Sequence, residues 1–309
     1  MEKLQARLAT GDVVVMDGGV GTEVERRGIQ LEDGLWSATP LFTEEGRQVV
    51  RDVHFDSIMA GAGIIITDNF RTQWRTLNRA GYGDCAAEIT IEACKLAREA
   101  REDSGQRDVV IAGSSAPLED CYSPEKTPPL HELLPEHDEH ARNLAEGGVD
   151  LILAETMITL AETEVALSAA RETGLPVAIS FCCDEWGKNL LSGESLEDAY
   201  KLAKDFDPVF VGINCVSMKA AGKALVRLGS LSLGRNEIPL AVYAQGDDHK
   251  SPHHNGDVDY ETEYIDSVNY WLELGAQAIG GCCGVTTDDV RNISQAVAKG
   301  RFPNALARR

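Results

Sequence analysis

Along the chain, short and nearly continuous apolar runs alternate with segments whose apolar residues recur every three or four positions. The runs are VVVMDGG (13–19), GIIITDN (63–69), VVIAGSS (109–115), DLILAET (150–156), PVAISFCC (176–183), VFVGINC (209–215), PLAVYAQ (239–245) and AQAIGGCC (276–283). Between them lie TEEGRQVVRDVHFDSIMAGA, HDEHARNLAEGG, TLAETEVALSAARETG, SLEDAYKLAKDF, SMKAAGKALVRLGS and DYETEYIDSVNYWLELGA. Continuous runs predict parallel strands covered on both faces, and the periodic segments predict helices. Eight strand-then-helix units in 309 residues predict an α/β chain, a (β/α)8 barrel forming one domain over residues 1–309. An open doubly wound sheet is the runner-up, but no GxGxxG follows a strand to support a dinucleotide site. Two loops stand out by length, residues 18–44 and LEDCYSPEKTPPLHELLPEHD after the third strand; the second is expected to cover the mouth of an active site.

Composition narrows the setting. Hydrophobic content of 43% and charged content of 26% are those of an ordinary globule. No apolar stretch reaches membrane-spanning length and MEKLQARLATGD lacks an apolar signal core, so the cytoplasm is the expected compartment, with no membrane partner. The net charge of −21 argues against a nucleic-acid partner and leaves a cationic small molecule open. Eight cysteines in such a chain do not read as a disulfide framework, which leaves metal binding, catalysis or burial. Cys85 and Cys94, on or beside the helical pattern AAEITIEACKLAREA, are expected to be buried.

In a (β/α)8 barrel the chemistry lies at the C-terminal strand ends. There stand Asp17, Asp68 and Asn69, Ser114 and Ser115, Glu155, Cys182 and Cys183, Asn214 and Cys215, Gln245, and Cys282 with Cys283. Strands 6 and 8 have one strand between them, so Cys215 and the Cys282–Cys283 pair can meet. Three thiolates and an open position suit Zn2+, at Zn–S distances of roughly 2.3 Å. A thiol entering that position becomes a thiolate, and its natural reaction is attack on an activated methyl group. Hydrolysis by zinc-bound water is the other reading, although hydrolytic sites favour His and carboxylate ligands. His131, His137 and His140, and His249, His253 and His254, fall in predicted loops and are read as solvated surface. Cys182 and Cys183 continue an apolar run without glycines and are read as packing or rim residues. Glu155 behind LILA is costly to bury unpartnered and is read as substrate-binding. A metal-free aldolase or lyase needs a strand-end Lys, and none is present. A non-catalytic zinc-binding protein has no need of an open anionic position.

These residues resemble a family. MDGGVGTEVERRG near the N-terminus, LAET after strand 4, VGINC after strand 6 and GGCCG at strand 8 are similar to motifs of the homocysteine S-methyltransferases, in the same order along the chain. The resemblance implies a zinc-dependent (β/α)8 enzyme that methylates homocysteine to methionine. By motif, Cys215, Cys282 and Cys283 would hold Zn2+. Asp17 with the Gly18–Gly19 backbone, and Glu155, would hold the amino-acid end of homocysteine, and Asn214 would steady the metal loop.

The donor half departs from the family. Val20 and Gly21 follow DGG, strand 2 ends in TDNFRTQW, strand 3 reads SSAPLEDCYSP without the common Gly-Pro turn, and strand 7 ends in AVYAQGDDHK. Phe70 stands where an aromatic ring is expected to meet the donor, and Trp36 and Trp74 could add cation–π contact. A small sulfonium or quaternary ammonium donor follows as the expected second substrate, with S-methylmethionine, S-adenosylmethionine and betaine as candidates. A corrinoid-protein donor, or another thiol or selenol acceptor, is the alternative.

Overall fold

The computed structural model describes residues 1–232, 238–246 and 260–300. Its eight strands are β1 (Val14–Val15), β2 (Ile64–Ile66), β3 (Val110–Ser115), β4 (Leu151–Met157), β5 (Val177–Phe181), β6 (Val211–Asn214), β7 (Leu240–Ala244) and β8 (Ala276–Gly281). All neighbours are parallel, in the order β1-β8-β7-β6-β5-β4-β3-β2. A parallel bridge from Met16 to Ile64 joins the first two strands, so the sheet curls into a nearly closed (β/α)8 barrel. The helices are α1 (Glu2–Ala9), α2 (Val20–Arg26), α3 (Glu44–Ala60), α4 (Trp74–Arg79), α5 (Ala86–Ser104) and α6 (Leu130–Glu146). They continue with α7 (Leu160–Glu172), α8 (Leu196–Lys204), α9 (Met218–Leu231), α10 (Tyr260–Glu273) and α11 (Thr287–Lys299). Among the described residues no helix is long and apolar enough to cross a membrane.

The strands are largely apolar, with their polar residues mostly towards the C-terminal ends, because each serves two cores. Leu151 and Leu153 of β4 point into the barrel with Val110, Ala112, Ile64, Ala241 and Ala278. Ile152 and Ala154 point outward, into the layer that the helices cover. Alternate residues of a strand face opposite sides, so an apolar layer on each side leaves few polar positions before the strand ends. Helix α1 contributes Leu4 and Leu8 to the inner core. Side-chain caps start the helices sharply: Thr43, Thr159, Ser195 and Ser217 each accept an amide three residues on, and Thr286 and Asp289 form a capping box.

Two readings change here. His137 and His140 are not on a solvated loop but buried on α6, where His137 Nε2 lies 3.1 Å from Glu162 Oε1 and His140 Nε2 lies 3.1 Å from the Ser114 carbonyl. Both lie on the buried stripe of α6, where each Nε2 has a partner and each Nδ1 has none. Cys94 is buried, but Cys85 is only half-buried, because it caps α5 at the molecular edge. His249, His253 and His254 lie outside the described residues.

Candidate active site

The thiol cluster depends on three local backbone features. Cys215, directly after β6, has φ of 51°, a left-handed conformation unusual for a non-glycine residue. Its amide reaches the Tyr243 carbonyl at 3.3 Å. After β8 the chain turns: the Cys282 amide donates to the Ala244 carbonyl at 2.8 Å, and the Val285 amide folds back to the Cys282 carbonyl at 3.1 Å. Gly284, at φ of 82°, makes that turn tolerable. Cys282 and Cys283 thus leave strand geometry together, and neighbouring side chains reach one point. Gly18 and Gly19 lie against this turn. A β-carbon on Gly18 would stand 2.4 Å from the Val285 carbonyl oxygen, and one on Gly19 would stand 2.7 Å from that of Cys282.

The sulfurs of Cys215, Cys282 and Cys283 all lie within 4.8 Å of one another. Cys215 and Cys282 are joined as a disulfide, with Cα atoms 5.6 Å apart, and Cys283 Sγ is 4.0 Å from Cys215 Sγ. A tetrahedral zinc with Zn–S bonds of roughly 2.3 Å separates its sulfurs by about 3.8 Å. The donor set therefore fits zinc in type and spacing once the disulfide is reduced, since thiolates are the ligands.

Facing the thiols is a cavity of about 900 Å³, lined by Gly18, Gly19, Glu155, Tyr243 and the three cysteines, and farther out by Trp36, Asp68, Phe70, Arg71 and Tyr122. Glu155 projects from a register shift in β4. The Ser114 hydroxyl donates to Glu155 Oε1, and the Tyr243 hydroxyl approaches Oε2 at 3.5 Å. Burial pushes its pKa up to about 7 against those two hydroxyls. Asp17 lies behind the cavity lining, not on it: Oδ2 accepts from the Ile66 amide at 2.8 Å, and Oδ1 is buried without a protein partner. Burial raises Asp17 well above the usual carboxylate range; the Ile66 amide opposes the shift and the nearby Glu155 charge adds to it. Two adjacent carboxyls that resist ionisation are suited to receive a cation.

Several expected roles shift. The Gly19 amide is engaged by the Val285 carbonyl at 3.1 Å, so it is not free for a substrate carboxylate. Asn214 does not line the cavity; it is fully buried and bonds Thr156 and Ser180. Trp36 and Phe70 form an edge-to-face pair with centroids 5.7 Å apart, whereas Trp74 is 41% exposed and stands off the cavity. Cys182 and Cys183 are buried in the outer core, with Cys182 Sγ directed at the Cys215 carbonyl at 3.6 Å.

The loop after β3 covers the cavity as its composition suggested. Arg71 ties it down through the carbonyls of Pro117 and Glu119, both at 3.1 Å, and the Leu118 amide donates to Glu162 at 2.8 Å. Tyr122 then reaches across to Gln245, whose Nε2 donates to its hydroxyl at 2.8 Å. Ser114 is among the strand-end candidates, whereas Cys121, Tyr122, Arg71 and Tyr243 escaped sequence reasoning. Only Tyr243, a hydroxyl inside an apolar run, carried a local signal.

A (β/α)8 barrel whose three clustered cysteines could hold a metal ion, facing a buried carboxyl across a cavity, has the architecture of an enzyme. The chain matches the homocysteine S-methyltransferase family model over residues 14–297 and belongs to that family, as one of its enzymes. It is 30% identical to the homocysteine S-methyltransferase of Escherichia coli K12, covering 93% of this chain and 96% of that one. It is 28% identical to a selenocysteine methyltransferase of Astragalus bisulcatus, covering 96% of each. The crystal structure of the metallated E. coli homocysteine methyltransferase MmuM superposes with a TM-score of 0.81 at 26% identity, over 94% of this chain and 99% of that one.

Proposed function

We propose that this protein moves a methyl group from a small sulfonium or quaternary ammonium donor to the sulfur of homocysteine, giving methionine. The observation that carries the reading is the placement of Cys215, Cys282 and Cys283 across one cavity from Glu155, with Asp17 behind it. The three cysteines would hold Zn2+, which supplies acidity towards a thiol and so favours its thiolate at neutral pH. A reducing cytoplasm suits a site that needs its cysteines as thiolates.

Glu155 receives the homocysteine ammonium, and Asp17 adds negative charge behind it; the carboxyls ionise as the cation arrives. The acceptor thiol releases its proton to solvent, and its sulfur uses a lone pair to form the new S–CH3 bond. With a sulfonium donor, the C–S bond breaks with its electron pair remaining on the donor sulfur, which leaves as a neutral thioether. Opposite charges cancel along this path, so the aromatic wall of Trp36 and Phe70 is less costly to the transition state than to the separated ions.

The test is methionine formation from homocysteine by the zinc-loaded protein, with S-methylmethionine, S-adenosylmethionine and betaine offered separately. Turnover with one donor is the expected outcome. Protein with one zinc that methylates selenocysteine or another thiol, but not homocysteine, would favour the second reading that the A. bisulcatus relative suggests.

A further inference from the structure

Among the buried carboxyls of the described residues, Asp17 and Asp68 each keep one oxygen without a hydrogen-bond partner, and of the two only Asp68 lines the cavity. Glu23 is held by Arg26 and Arg27, Glu162 by the Leu118 amide and His137, Asp289 by its capping box, and Glu155 by the Ser114 and Tyr243 hydroxyls. Asp68 is 3% exposed and lines the cavity, yet its Oδ2 has no hydrogen-bond partner. Burial pushes its pKa up to about 8, with only the Ser37 hydroxyl acting against it. A buried acceptor left unmatched costs stability, so its presence on a cavity wall points to a ligand that supplies the missing donor.

The surroundings say what kind of donor. Ser37 follows Trp36 in the chain, and Phe70 lies two residues beyond Asp68, so the aromatic pair stands beside the carboxyl. Ring faces attract a sulfonium. The Arg71 guanidinium stacks 4.8 Å from the centre of the Phe70 ring and also lines the cavity, so positive charge is present on the same wall. Anion, aromatic pair and cation together match a ligand that is itself an ammonium, a sulfonium and a carboxylate.

We propose that Asp68 determines donor specificity by accepting a hydrogen bond from the primary ammonium of an amino-acid sulfonium. A quaternary ammonium has no N–H to offer and cannot make this hydrogen bond. The inference rests on the methyl-transfer reading above, but it is tested by binding alone. Calorimetric titration of the zinc-loaded protein with S-methylmethionine, its N-acetyl derivative and betaine compares wild type with Asp68→Asn. The expected result is that N-acetylation and Asp68→Asn each weaken binding of the amino-acid sulfonium about 10- to 100-fold, the size of a lost charge-assisted hydrogen bond. Binding of betaine and the N-acetyl derivative, which feel the lost charge but not the lost hydrogen bond, should weaken far less than that of the amino-acid sulfonium in Asp68→Asn. Equal binding of the N-acetyl derivative to wild type, unchanged binding in Asp68→Asn, or no binding of S-methylmethionine to wild type would overturn the proposal. The N-acetyl comparison needs no variant and so stands even if Asp68→Asn fails to fold. Binding through Asp68 without methionine formation would refute homocysteine as the acceptor while the contact between Asp68 and the ammonium stands, so the two failures are distinguishable.

Discussion

Asn214 and Thr156 exchange two hydrogen bonds across the barrel: the Thr156 amide donates to Asn214 Oδ1 at 3.1 Å, and Asn214 Nδ2 donates to Thr156 Oγ1 at 2.8 Å. Thr156 has φ of 60°, which a β-branched residue adopts only when its surroundings compel it. Asn214 thereby fixes the distorted end of β4, where Glu155 precedes Thr156, to the end of β6, where Cys215 follows Asn214. The two halves of the site share one clamp. Ser180, which donates to the same Oδ1 at 2.9 Å and pairs with the Tyr243 hydroxyl, ties β5 and β7 into it.

Replacing Asn214 with Ala leaves the Thr156 amide only the Ser180 hydroxyl at 3.4 Å and removes the partner of the Thr156 hydroxyl, and is expected to cost about 1 to 3 kcal/mol of stability. Homocysteine KM should rise and zinc affinity should fall together. Urea unfolding, substrate kinetics and metal titration would read this; a destabilised variant with wild-type KM and metal affinity would show that the clamp serves the fold only.

Glu155 links stability to pH. Its folded pKa of about 7 lies above the ordinary value of 4.5, so the folded state holds this proton more tightly than the unfolded chain. The ligand-free protein therefore loses stability as pH rises above about 4.5, and the loss is complete above about 7, at up to about 3 kcal/mol. Glu155→Gln should raise the melting temperature at pH 8, leave it unchanged at pH 4.5, and raise homocysteine KM at least tenfold. An equal shift at both pH values would refute the assignment.

His54 acts with the opposite sign. It is fully buried on α3, neither ring nitrogen has a partner, and burial lowers its pKa from 6.5 to about 4. The unfolded chain binds the extra proton, so stability is present above 6.5 and is lost as pH falls towards 4. His54→Leu should flatten the fall of stability over this window, as measured by denaturant midpoints at several pH values. His140, with its pKa also lowered to about 4 by burial, keeps part of the slope.

Removal of any one thiol, as Cys215→Ala, Cys282→Ala or Cys283→Ala, should lower zinc content well below one per chain and abolish methyl transfer while the barrel still melts cooperatively. Oxidised wild type, with Cys215 and Cys282 bridged, should take up zinc only after reduction. Wild-type metal content in Cys282→Ala would remove the basis of the zinc assignment.

Gly18→Ala probes the support beneath the metal loop. Its added carbon would meet the Val285 carbonyl oxygen, which belongs to the turn that presents Cys282 and Cys283. The turn must shift, at about 1 to 3 kcal/mol. Zinc affinity should fall more than ten times further than in a control substitution of the exposed Gly174, measured by competition with a chelator; equal affinities would exclude this support.

The barrel was legible in the sequence because all eight strands are double-faced, and apolar runs such as LILA need no tertiary information to be recognised. The meeting of Cys215 with Cys282 and Cys283 was legible as well, because strand order in a (β/α)8 barrel follows chain order and the glycines around the pair announce a turn. Other features depend on contacts between residues distant in sequence. The His137–Glu162 pair joins α6 to α7, and its helix period by itself did not reveal that both histidines face inward. The availability of the Gly19 amide turned on Val285, 266 positions away, and a backbone donor's partner leaves no mark in composition. Asp68 read as one more strand-end polar residue. Its lack of a partner, and the aromatic pair beside it, exist only once the loop bearing Trp36 has folded over the end of β2, because desolvation is a property of everything packed around a group and not of the group itself.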